Sequence, residues 1–352
     1  MRGGDLLSGY AALEKPSAEL WDSFLNKESS DGNFPQCYEY GELAKTAYPK
    51  QRVVRSLITY NEKPVGIAQG TYNVYFGLGT TLNVIWGPIV SRRNSENLYA
   101  AENLLTEVEA CCRKYRIIEA RFSVMASPDL QKAFREMNYA SIAKTNEYVV
   151  NLEGGAQKLW MNIHHNKRRN IKRALEQGVE VTQSHSKEDL KTFYSLLEIT
   201  VAREGFTPYP RTLFEAIWNS YDPDLSSVFL AKWKGKALSG VFVVVQGKTA
   251  YALNAGSLAE EREVRPTDIM HWKAMEWACS KGYSRYNLGG VSEPPPIEGS
   301  SKWGIWRWKK EWKGNLETIE VFNKLVLPQY RLILLARDFA IEHKRQIKWL
   351  YR

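Results

Sequence analysis

The alternation of apolar and polar positions predicts that the first half of the chain begins with helices and continues as strands separated by further helices. In the segment SAELWDSFLNK, Leu20, Trp21 and Phe24 recur on one helical face behind Ser17, a residue type that favours the N-cap of a helix. In chain order the pattern predicts a frayed end or short strand over 1–14, a helix over 17–27, a turn and helix over 33–48, strands over 51–60, 65–76 and 83–90, a helix over 96–114, a strand over 117–124, a helix over 128–137 and a strand over 148–152.

The second half of the chain repeats that order of elements. The pattern predicts helices over 187–202 and 211–221, a hairpin of strands over 227–233 and 237–246, a strand over 249–257, a helix over 266–281 and a strand over 283–288. LITYNEKPVGIAQGTYNVYF in the first half compares with VFLAKWKGKALSGVFVVVQG in the second. We interpret this as a structural duplication. It predicts two α/β (α+β) units over 1–152 and 153–322, each a mostly antiparallel central sheet flanked by helices.

The last segment, residues 323–352, is predicted to be an amphipathic, basic helix after Pro328. Two interpretations stay open. The helix packs back on the first unit and leaves its cations in water, or it lies on an anionic membrane surface. We favour packing.

Composition and charge narrow the class of protein. The chain has 352 residues, enough for about two domains. Its net charge of +9 favours an anionic partner such as nucleic acid, a nucleotide-linked substrate or an anionic membrane. The four cysteines Cys37, Cys111, Cys112 and Cys279 show no CxxC spacing, which favours a reduced compartment. The start of the chain is not apolar and no run of about 18 apolar residues occurs, so we expect neither a signal peptide nor a membrane span.

The stretch from Ser284 to Gly314 concentrates candidate chemistry. A predicted strand runs into Gly289-Gly290, a proline-rich loop follows, and indoles then alternate with cations. The indoles are Trp303, Trp306, Trp308 and Trp312, and the cations are Lys302, Arg307, Lys309, Lys310 and Lys313. This combination predicts a surface that stacks on a flat or apolar group while it neutralises an anion.

The order of elements resembles the acetyltransferase-like (GNAT) fold in tandem. Proteins of this fold usually bind a pyrophosphate through a glycine-rich turn, R/Q-x-x-G-x-G/A, that opens a helix after the fourth strand. The segment GLG at 77–79 lacks the flanking arginine and the helix, and AGS at 255–257 does not fit the pattern either. We therefore expect that acetyl-CoA is not the ordinary co-substrate.

Several motifs, in order and spacing, resemble the Fem family, the aminoacyl-tRNA-dependent transferases that build the interpeptide bridges of peptidoglycan. They are NFPQCYEYGELAK, WGPIV, HHNKRRNIKRALEQGVEV, AREGF, NAGS, YNLGG and IWRWKKEWKG. The resemblance covers about residues 16–325, and the coiled-coil arm of some members has no counterpart here. It implies two tandem acetyltransferase-like units with a cleft between them.

The resemblance also implies an activity and its partners. The chain is expected to be an acyltransferase that moves an aminoacyl group from charged tRNA to an amine of a cell-wall peptide precursor, with formation of a peptide bond. Aminoacyl-tRNA is the implied co-substrate, without a further cofactor. A metal is not expected, since the five histidines show no HExxH-like spacing. The implied acceptor is a nucleotide-linked or lipid-linked muropeptide. We expect a cytoplasmic monomer, with peripheral contact at the inner face of the membrane as the alternative location.

The resemblance assigns the acyl-transfer centre to Lys309, which follows Trp308 where the family has Phe-Lys. A fixed ammonium there stabilises the tetrahedral oxyanion that forms when an amine attacks the aminoacyl ester. Trp308 is expected to wall the acceptor channel. The alternatives are that Lys309 is a solvated lysine and that Trp308 is a core indole.

Four further residues are predicted to bind the acceptor: Lys45, Arg203, Tyr251 and Asn254. Lysine and arginine suit phosphate groups, although both residues can also be ordinary surface cations. Asn254 stands where the family often carries tyrosine. Ser123 stands where some members have an acidic residue, so that candidate base is missing, and water or the leaving ribose hydroxyl is left to take the proton of the amine.

A basic cluster in one short helical segment is predicted to contact tRNA phosphates. Its members are Lys167, Arg168, Arg169, Lys172 and Arg173. They cover most of the circumference of a helix, so they cannot all touch one ligand. A solvated helix end at a domain junction is the alternative.

Two rival functions stay open. One is an acyl-CoA-dependent N-acyltransferase that modifies a sugar or a small amine. The other is a non-catalytic module that binds RNA or an anionic membrane through its basic patches, with binding that falls steeply as salt rises.

Overall fold

The computed structural model describes residues 6–75, 77–91, 97–125, 127–291 and 296–339. Its strands are β1 (Tyr10–Leu13), β2 (Gln51–Tyr60), β3 (Lys63–Tyr75), β4 (Leu78–Ile85), β5 (Ile89–Val90), β6 (Ile117–Val124), β7 (Ala140–Asn151), β8 (Glu180–Ser184), β9 (Ser226–Trp233), β10 (Lys236–Gln246), β11 (Thr249–Ser257), β12 (Arg285–Val291) and β13 (Asn315–Leu325). Its helices are α1 (Ala18–Glu28), α2 (Tyr38–Ala47), α3 (Asn97–Lys114), α4 (Pro128–Glu136), α5 (Gly155–Asn162), α6 (His165–Glu176), α7 (Lys187–Glu204), α8 (Arg211–Ser220), α9 (Pro266–Ser280) and α10 (Ser301–Lys310).

The chain divides into two compact units. Unit 1 takes the described residues up to 28, from 35 to 144 and from 319 onward, and unit 2 takes residues 29–34 and 145–318. This division differs from the predicted boundary at 152/153. Strands β8 and β13 and helix α5 were not predicted from the pattern.

The sheet of unit 1 has the strand order β1-β2-β3-β4-β6-β13, and β5 pairs with β3. Strands β4 and β6 are parallel, whereas β1–β2, β2–β3, β3–β4, β3–β5 and β6–β13 are antiparallel. The β2–β3 turn places Asn61 and Glu62 at φ 46° and 64°, the left-handed conformation that two-residue hairpin turns require. Helix α3 covers one face of this sheet and buries Leu104 and Leu105 against Ile58 and other core residues.

The sheet of unit 2 has the order β7-β12-β11-β10-β9-β8, with β11 and β12 parallel. A tight β9–β10 turn at Lys234-Gly235, again with positive φ, matches the β2–β3 turn of unit 1. Helix α9 buries Met270 and Met275 against Val241 of this sheet. Each unit therefore contains a hairpin followed by a parallel strand pair, as the sequence repeat predicts.

In each unit, the sheet includes one strand from a part of the chain that the sequence pattern predicted to lie outside that unit. Residues 146–151 of β7 pair with β12 in unit 2, although the pattern placed 148–152 at the close of the first unit. Residues 320–325 of β13 pair instead with β6 and close the sheet of unit 1. An alternating pattern identifies a strand and its buried face but not the partner to which it bonds.

Residues 331–339 are helical, after a short 3₁₀ turn at Pro328–Tyr330. Leu334 is buried with Leu78 and Ile118 of unit 1, and Arg337 Nη1 donates to Thr81 Oγ1 at 3.0 Å. The part of the predicted terminal helix that covers residues 340–352 lies outside the described residues. None of the helices within the described ranges combines the length and the apolarity that crossing a bilayer requires.

Gly256, in the NAGS segment, lies where β11 comes closest to helix α7. A Cβ built on Gly256 would stand 2.3 Å from the backbone nitrogen of Leu197, so alanine cannot fit unless the helix moves. We expect Gly256→Ala to lower the free energy of unfolding by about 1–3 kcal/mol, the usual cost of overpacking a core. Urea denaturation measures this change.

Gly304 provides the matched control on helix α10. Apart from its chain neighbours and the backbone of its own helix, no atom of the described residues lies within 4 Å of a Cβ built on Gly304. Gly304→Ala should therefore leave stability unchanged or raise it by up to about 1 kcal/mol, because alanine is the better helix former. A Gly256→Ala variant as stable as the wild type would show that α7 moves away at no cost.

Candidate active site

Helix α10 carries the two residues predicted at the acyl-transfer centre. Lys309 lies in its last turn and is 8 % exposed, whereas Trp312, just beyond the helix, is fully buried. Trp303 and Trp306 stack on each other with ring centroids 5.1 Å apart. Trp312 therefore belongs to the core of unit 2 and not to the predicted aromatic surface.

Two consecutive backbone carbonyls hold the Lys309 ammonium. Nζ donates to Gly289 O at 2.9 Å and to Gly290 O at 2.7 Å. The pairing of β12 with β7 shifts register between Asn287 and Gly290, and Gly289 has a φ of +79°. This irregularity, which glycine adopts without steric cost, brings both carbonyls toward one ammonium. The YNLGG motif thus supplies the site with backbone rather than with side chains.

The Lys309 ammonium is fixed but not saturated. A lysine ammonium has three N–H donors, and hydrogen bonds to the described residues use two of them. Burial lowers the pKa of Lys309 to about 8, and the nearby Glu147 carboxylate opposes that shift. The group is therefore mostly charged at neutral pH, and one of its donors is not taken by any residue that the structure describes.

Sequence reasoning missed a carboxylate beside this ammonium. Glu147 on β7 pairs in register with Gly290, and its Oε1 lies 3.9 Å from the place of a Cβ on Gly290. Burial raises the pKa of Glu147, while the charge of Lys309 and a hydrogen bond from Asn287 lower it in part. The only signal in the sequence is an acidic residue beside apolar strand positions. Its place in the site follows from the β7–β12 register.

A buried ionic network fixes Trp308. Its Nε1 donates to Asp268 Oδ1 at 2.6 Å, and Lys167 Nζ donates to the same oxygen at 2.6 Å. Lys167 Nζ also lies 3.6 Å from Glu311 Oε2 and 4.3 Å from the centroid of the Trp308 ring. Helices α6, α9 and α10 are thereby joined, which sets the orientation of the helix that carries Lys309.

The arrangement agrees with what comparisons with known proteins find. Residues 162–310 match the family described as Acetyltransferase (GNAT) domain. A Lipid II:glycine glycyltransferase of Staphylococcus saprophyticus is 22% identical over 89% of this chain and 92% of its own length. A UDP-N-acetylmuramoylpentapeptide-lysine N(6)-alanyltransferase of Weissella viridescens is 28% identical over 34% of this chain and 36% of its own length. The crystal structure of FemX covers 92% of this chain and 100% of its own, with a TM-score of 0.78 and 18% sequence identity.

The chain resembles the Fem family. The resemblance read from the motifs is confirmed, and so is the predicted fold class of two tandem acetyltransferase-like units. The chain is an acyltransferase. The roles of the individual residues at the Fem positions stay predictions, and the structure decides which of these residues are accessible.

Lys167 is not accessible, and the prediction that it contacts tRNA is wrong. The side chain is 0 % exposed and is paired with Asp268 and Glu311. Burial lowers the pKa of Lys167, and these two carboxylates oppose the shift. A lysine buried in this way needs its charge partners inside the protein and cannot reach a phosphate at the surface.

The rest of the Fem basic cluster divides into a helix cap and an exposed face. Arg168 Nη1 donates to the carbonyls of Trp160, Met161 and Ile163 at 3.2, 3.0 and 2.6 Å. These bonds satisfy the otherwise free carbonyls at the end of α5. Arg169, Lys172 and Arg173 are exposed, so the predicted RNA contact stays a prediction for these three residues.

Arg203 and Asn254 lie near the end of β11. Arg203, in the last turn of α7, is exposed and donates Nη1 to Ser257 O at 2.8 Å. Asn254 is half-buried, and its Oδ1 accepts from the backbone nitrogen of Tyr209 at 3.0 Å. Both keep accessible surface, so their predicted contact with the acceptor stays a prediction.

Tyr251 is a core residue, and its predicted contact with the acceptor is wrong. The side chain is 5 % exposed, and its ring lies 6.3 Å from that of Phe34, centroid to centroid. Burial raises the pKa of Tyr251. Alternation along β11 turns this residue to the packed face of the strand.

Lys45 belongs to unit 1 and is exposed on helix α2. Its Nζ lies 2.8 Å from Glu42 Oε1, one turn earlier on the helix. A surface pair of this kind contributes little to stability, so Lys45 can exchange Glu42 for a phosphate at low cost. Within the described ranges, no three His, Cys, Asp or Glu side chains come together as metal ligands.

Proposed function

We propose that this protein transfers an aminoacyl group from charged tRNA to an amine of a muropeptide precursor, as its resemblance to the Fem family implies. Two similar proteins support the acceptor class: one is named for glycyl transfer with lipid II, the other for alanyl transfer to the lysine N6 of UDP-N-acetylmuramoylpentapeptide. The acceptor here is therefore a lipid-linked or nucleotide-linked muropeptide, met in the cytoplasm or at the inner face of the membrane.

The observation that carries this proposal is the Lys309 ammonium, held by the Gly289 and Gly290 carbonyls with its third N–H unused by the described residues. When an amine attacks an aminoacyl ester, the carbonyl oxygen becomes an oxyanion. A donor that is already positioned stabilises this oxyanion without reorganising in the transition state. Lys309 meets that requirement because two hydrogen bonds fix its head group.

Exposed cations suit the two anionic substrates. Arg203 offers a planar guanidinium and Lys45 a point charge for the phosphates of the acceptor. Arg169, Lys172 and Arg173 form an exposed basic face of α6 that suits the phosphates of an RNA acceptor stem.

The backbone supports tRNA rather than an acyl-CoA as donor. A pyrophosphate-binding site of this kind uses backbone N–H groups at the start of a helix. The GLG segment runs into strand β4 and the AGS segment lies within strand β11, so neither opens a helix. Neither segment therefore presents the backbone that usually grips the pyrophosphate of coenzyme A.

The test is a transfer assay with a pool of radiolabelled aminoacyl-tRNAs. UDP-N-acetylmuramoylpentapeptide and vesicles containing lipid II serve as alternative acceptors. We expect label in at least one muropeptide, loss of that label after ribonuclease treatment of the donor, and a rate that falls as salt rises. Acyl transfer from acetyl-CoA to amines, with none from any charged tRNA, would replace this function by the rival N-acyltransferase.

A further inference from the structure

Two adjacent glycines of β12, Gly289 and Gly290, lie beside the Lys309 ammonium and the Glu147 carboxylate. A Cβ built on Gly289 would lie 3.9 Å from Lys309 Nζ, and one built on Gly290 would lie 3.9 Å from Glu147 Oε1. Apart from the chain neighbours of each glycine, no other side chain of the described residues comes within 4 Å of either position. The two glycines therefore leave space beside the ammonium and beside the carboxylate, which we call the glycine-lined gap. Gly290 is exposed, so the gap opens to solvent.

We propose that this gap is where the acceptor amine meets the aminoacyl ester, and that Glu147 is the proton acceptor of the reaction. The inference rests on the proposed function and adds to it the base that Ser123 does not supply. It also replaces the expectation that water alone, or the leaving ribose, takes the proton.

The chemistry balances within this gap. The neutral amine attacks the ester carbonyl, a nitrogen–carbon bond forms, and the carbonyl oxygen becomes an oxyanion beside Lys309. The nitrogen then carries an extra proton, which passes to Glu147. As the bond between carbon and the ribose oxygen breaks, Glu147 returns the proton to that oxygen. The products are an amide and a free ribose hydroxyl, and Glu147 ends ionised as it began.

The surroundings of Glu147 suit a group that takes and returns a proton. Asn287 donates a side-chain hydrogen bond to the carboxylate and accepts one from the Gly289 nitrogen at 2.6 Å. The carboxylate is therefore tied to the same irregular backbone that holds Lys309. Glu147 keeps part of its surface accessible, so a substrate can reach it.

The other titratable groups near α10 fit the role less well. Burial and the charges of Lys167 and Lys309 lower the pKa of His271 to about 3, so it stays neutral and is a weak base. Asp268 is 4 % exposed and is occupied by Lys167, Trp308 and Asn170. Neither group borders the glycine-lined gap.

The charged and titratable groups that face Glu147 come from several elements. Lys309 on α10 lowers its pKa, and Glu317 on β13 raises it. Tyr209, before α8, lies close enough for the Glu147 charge to add to the burial that raises the Tyr209 pKa to about 12. Tyr209 therefore stays protonated through the neutral range, and the pH dependence of the ratio of wild-type to Glu147→Gln rates reports Glu147.

The first test compares Glu147→Gln with the wild type across pH, with aminoacyl-tRNA and the acceptor that the wild type prefers. At neutral pH we expect kcat to fall by about 10²-fold, the usual contribution of a positioned base. The ratio of wild-type to variant rates should shrink toward one in acid, because protonated Glu147 is no better than glutamine. Ionisation of the acceptor amine cancels in this ratio. A purely structural Glu147 would give a ratio that does not change with pH.

Glu317→Gln is the matched carboxylate control. Glu317 pairs with Arg285 and acts on Glu147 only through its charge. Removal of that negative charge should move the acid limb of the wild-type profile to lower pH and leave the plateau rate unchanged. An acid limb that stays in place would assign it to another group.

Gly290→Ala tests the gap itself. Apart from the chain neighbours of Gly290, the nearest described atoms to the added methyl group lie 3.9 Å away, at ordinary contact distance, so the fold should be unaffected. The methyl group occupies the gap, and we expect at least a 10-fold loss of kcat/KM with an unchanged urea midpoint. Full activity in this variant would place the reaction elsewhere.

The outcomes separate the two proposals. An inactive wild type with every charged tRNA and muropeptide overturns the proposed function, and this inference falls with it. An active wild type with fully active Glu147→Gln and Gly290→Ala variants overturns this inference alone.

Discussion

Replacement of Lys309 by methionine should lower kcat for aminoacyl transfer by about 10²–10³-fold, the usual cost of removing one oxyanion donor. Methionine keeps the length and the apolar stem of the side chain but has no N–H. The KM of the acceptor should change little, because the donor acts mainly on the charge that develops in the transition state. Steady-state kinetics with saturating aminoacyl-tRNA measure both parameters.

Lys310→Met is the control for Lys309→Met. Lys310 is the next residue of α10, is exposed, and lies 5.4 Å from the centroid of the Trp306 ring. Lys310→Met makes the same change in formal charge, but it should leave kcat within about 2-fold of the wild type, because it is a surface substitution. Equal losses in the two variants would point to the net charge of the helix rather than to a positioned donor.

The dependence of the transfer rate on pH provides a second test of the role of the Lys309 ammonium. Its pKa is lowered to about 8, so the ammonium is lost as pH rises through that value. The rate should therefore fall on the alkaline side with an apparent pKa near that of Lys309. Lys309→Met should abolish this limb. A limb that persists in the variant would belong to the substrate.

Replacement of Lys167 by methionine should lower the free energy of unfolding by about 3–5 kcal/mol, the usual cost of removing one partner of a buried ion pair. Asp268 and Glu311 would then face each other without the ammonium that lies 2.6 and 3.6 Å from their oxygens. Trp308 would lose the cation over its ring. Urea denaturation followed by tryptophan fluorescence measures the loss.

Two further variants isolate the ion pair. Lys172→Met, on the exposed face of the same helix, should change stability by less than about 0.5 kcal/mol. Lys167→Met combined with Asp268→Asn should recover part of the loss, since it removes a stranded charge but keeps an acceptor for Trp308 Nε1. No recovery would mean that the lost packing of the lysine stem accounts for the effect.

The repeated order of elements could be predicted because it depends on local pattern, whereas the role of Lys309 is predicted from the resemblance of its motif to the Fem family. Tight turns such as Lys234-Gly235 and alternating strands are encoded by neighbouring residues. The motif that contains Lys309 likewise lies in one short stretch. The carbonyls that hold it come from the YNLGG motif, but their direction depends on a register shift that no local pattern shows.

The sequence around Lys167 contains a signal of burial that a count of charged residues does not show. This lysine resembles its basic neighbours in the sequence, yet Lys167, Ile171 and Ala174 form the buried stripe of α6 at helical spacing. A cation on an apolar stripe predicts a buried partner. That partner, Asp268, lies 101 residues further along the chain, so its identity depends on the tertiary fold. Glu147 was missed for the same reason, since its neighbours come from β12 and α10.

The pairing of β7 within unit 2 and of β13 within unit 1 affects how the chain folds during its synthesis. Strand β13 closes the sheet of unit 1, and its Phe322 stacks on Phe134 with ring centroids 4.3 Å apart. A ribosome produces β13 only after most of unit 2 has emerged, so unit 1 cannot finish first, as an N-terminal domain ordinarily does. Until then β6 is an unpaired edge that invites wrong pairing. Nascent chains that stop anywhere in unit 2 therefore carry two unfinished halves rather than one finished domain.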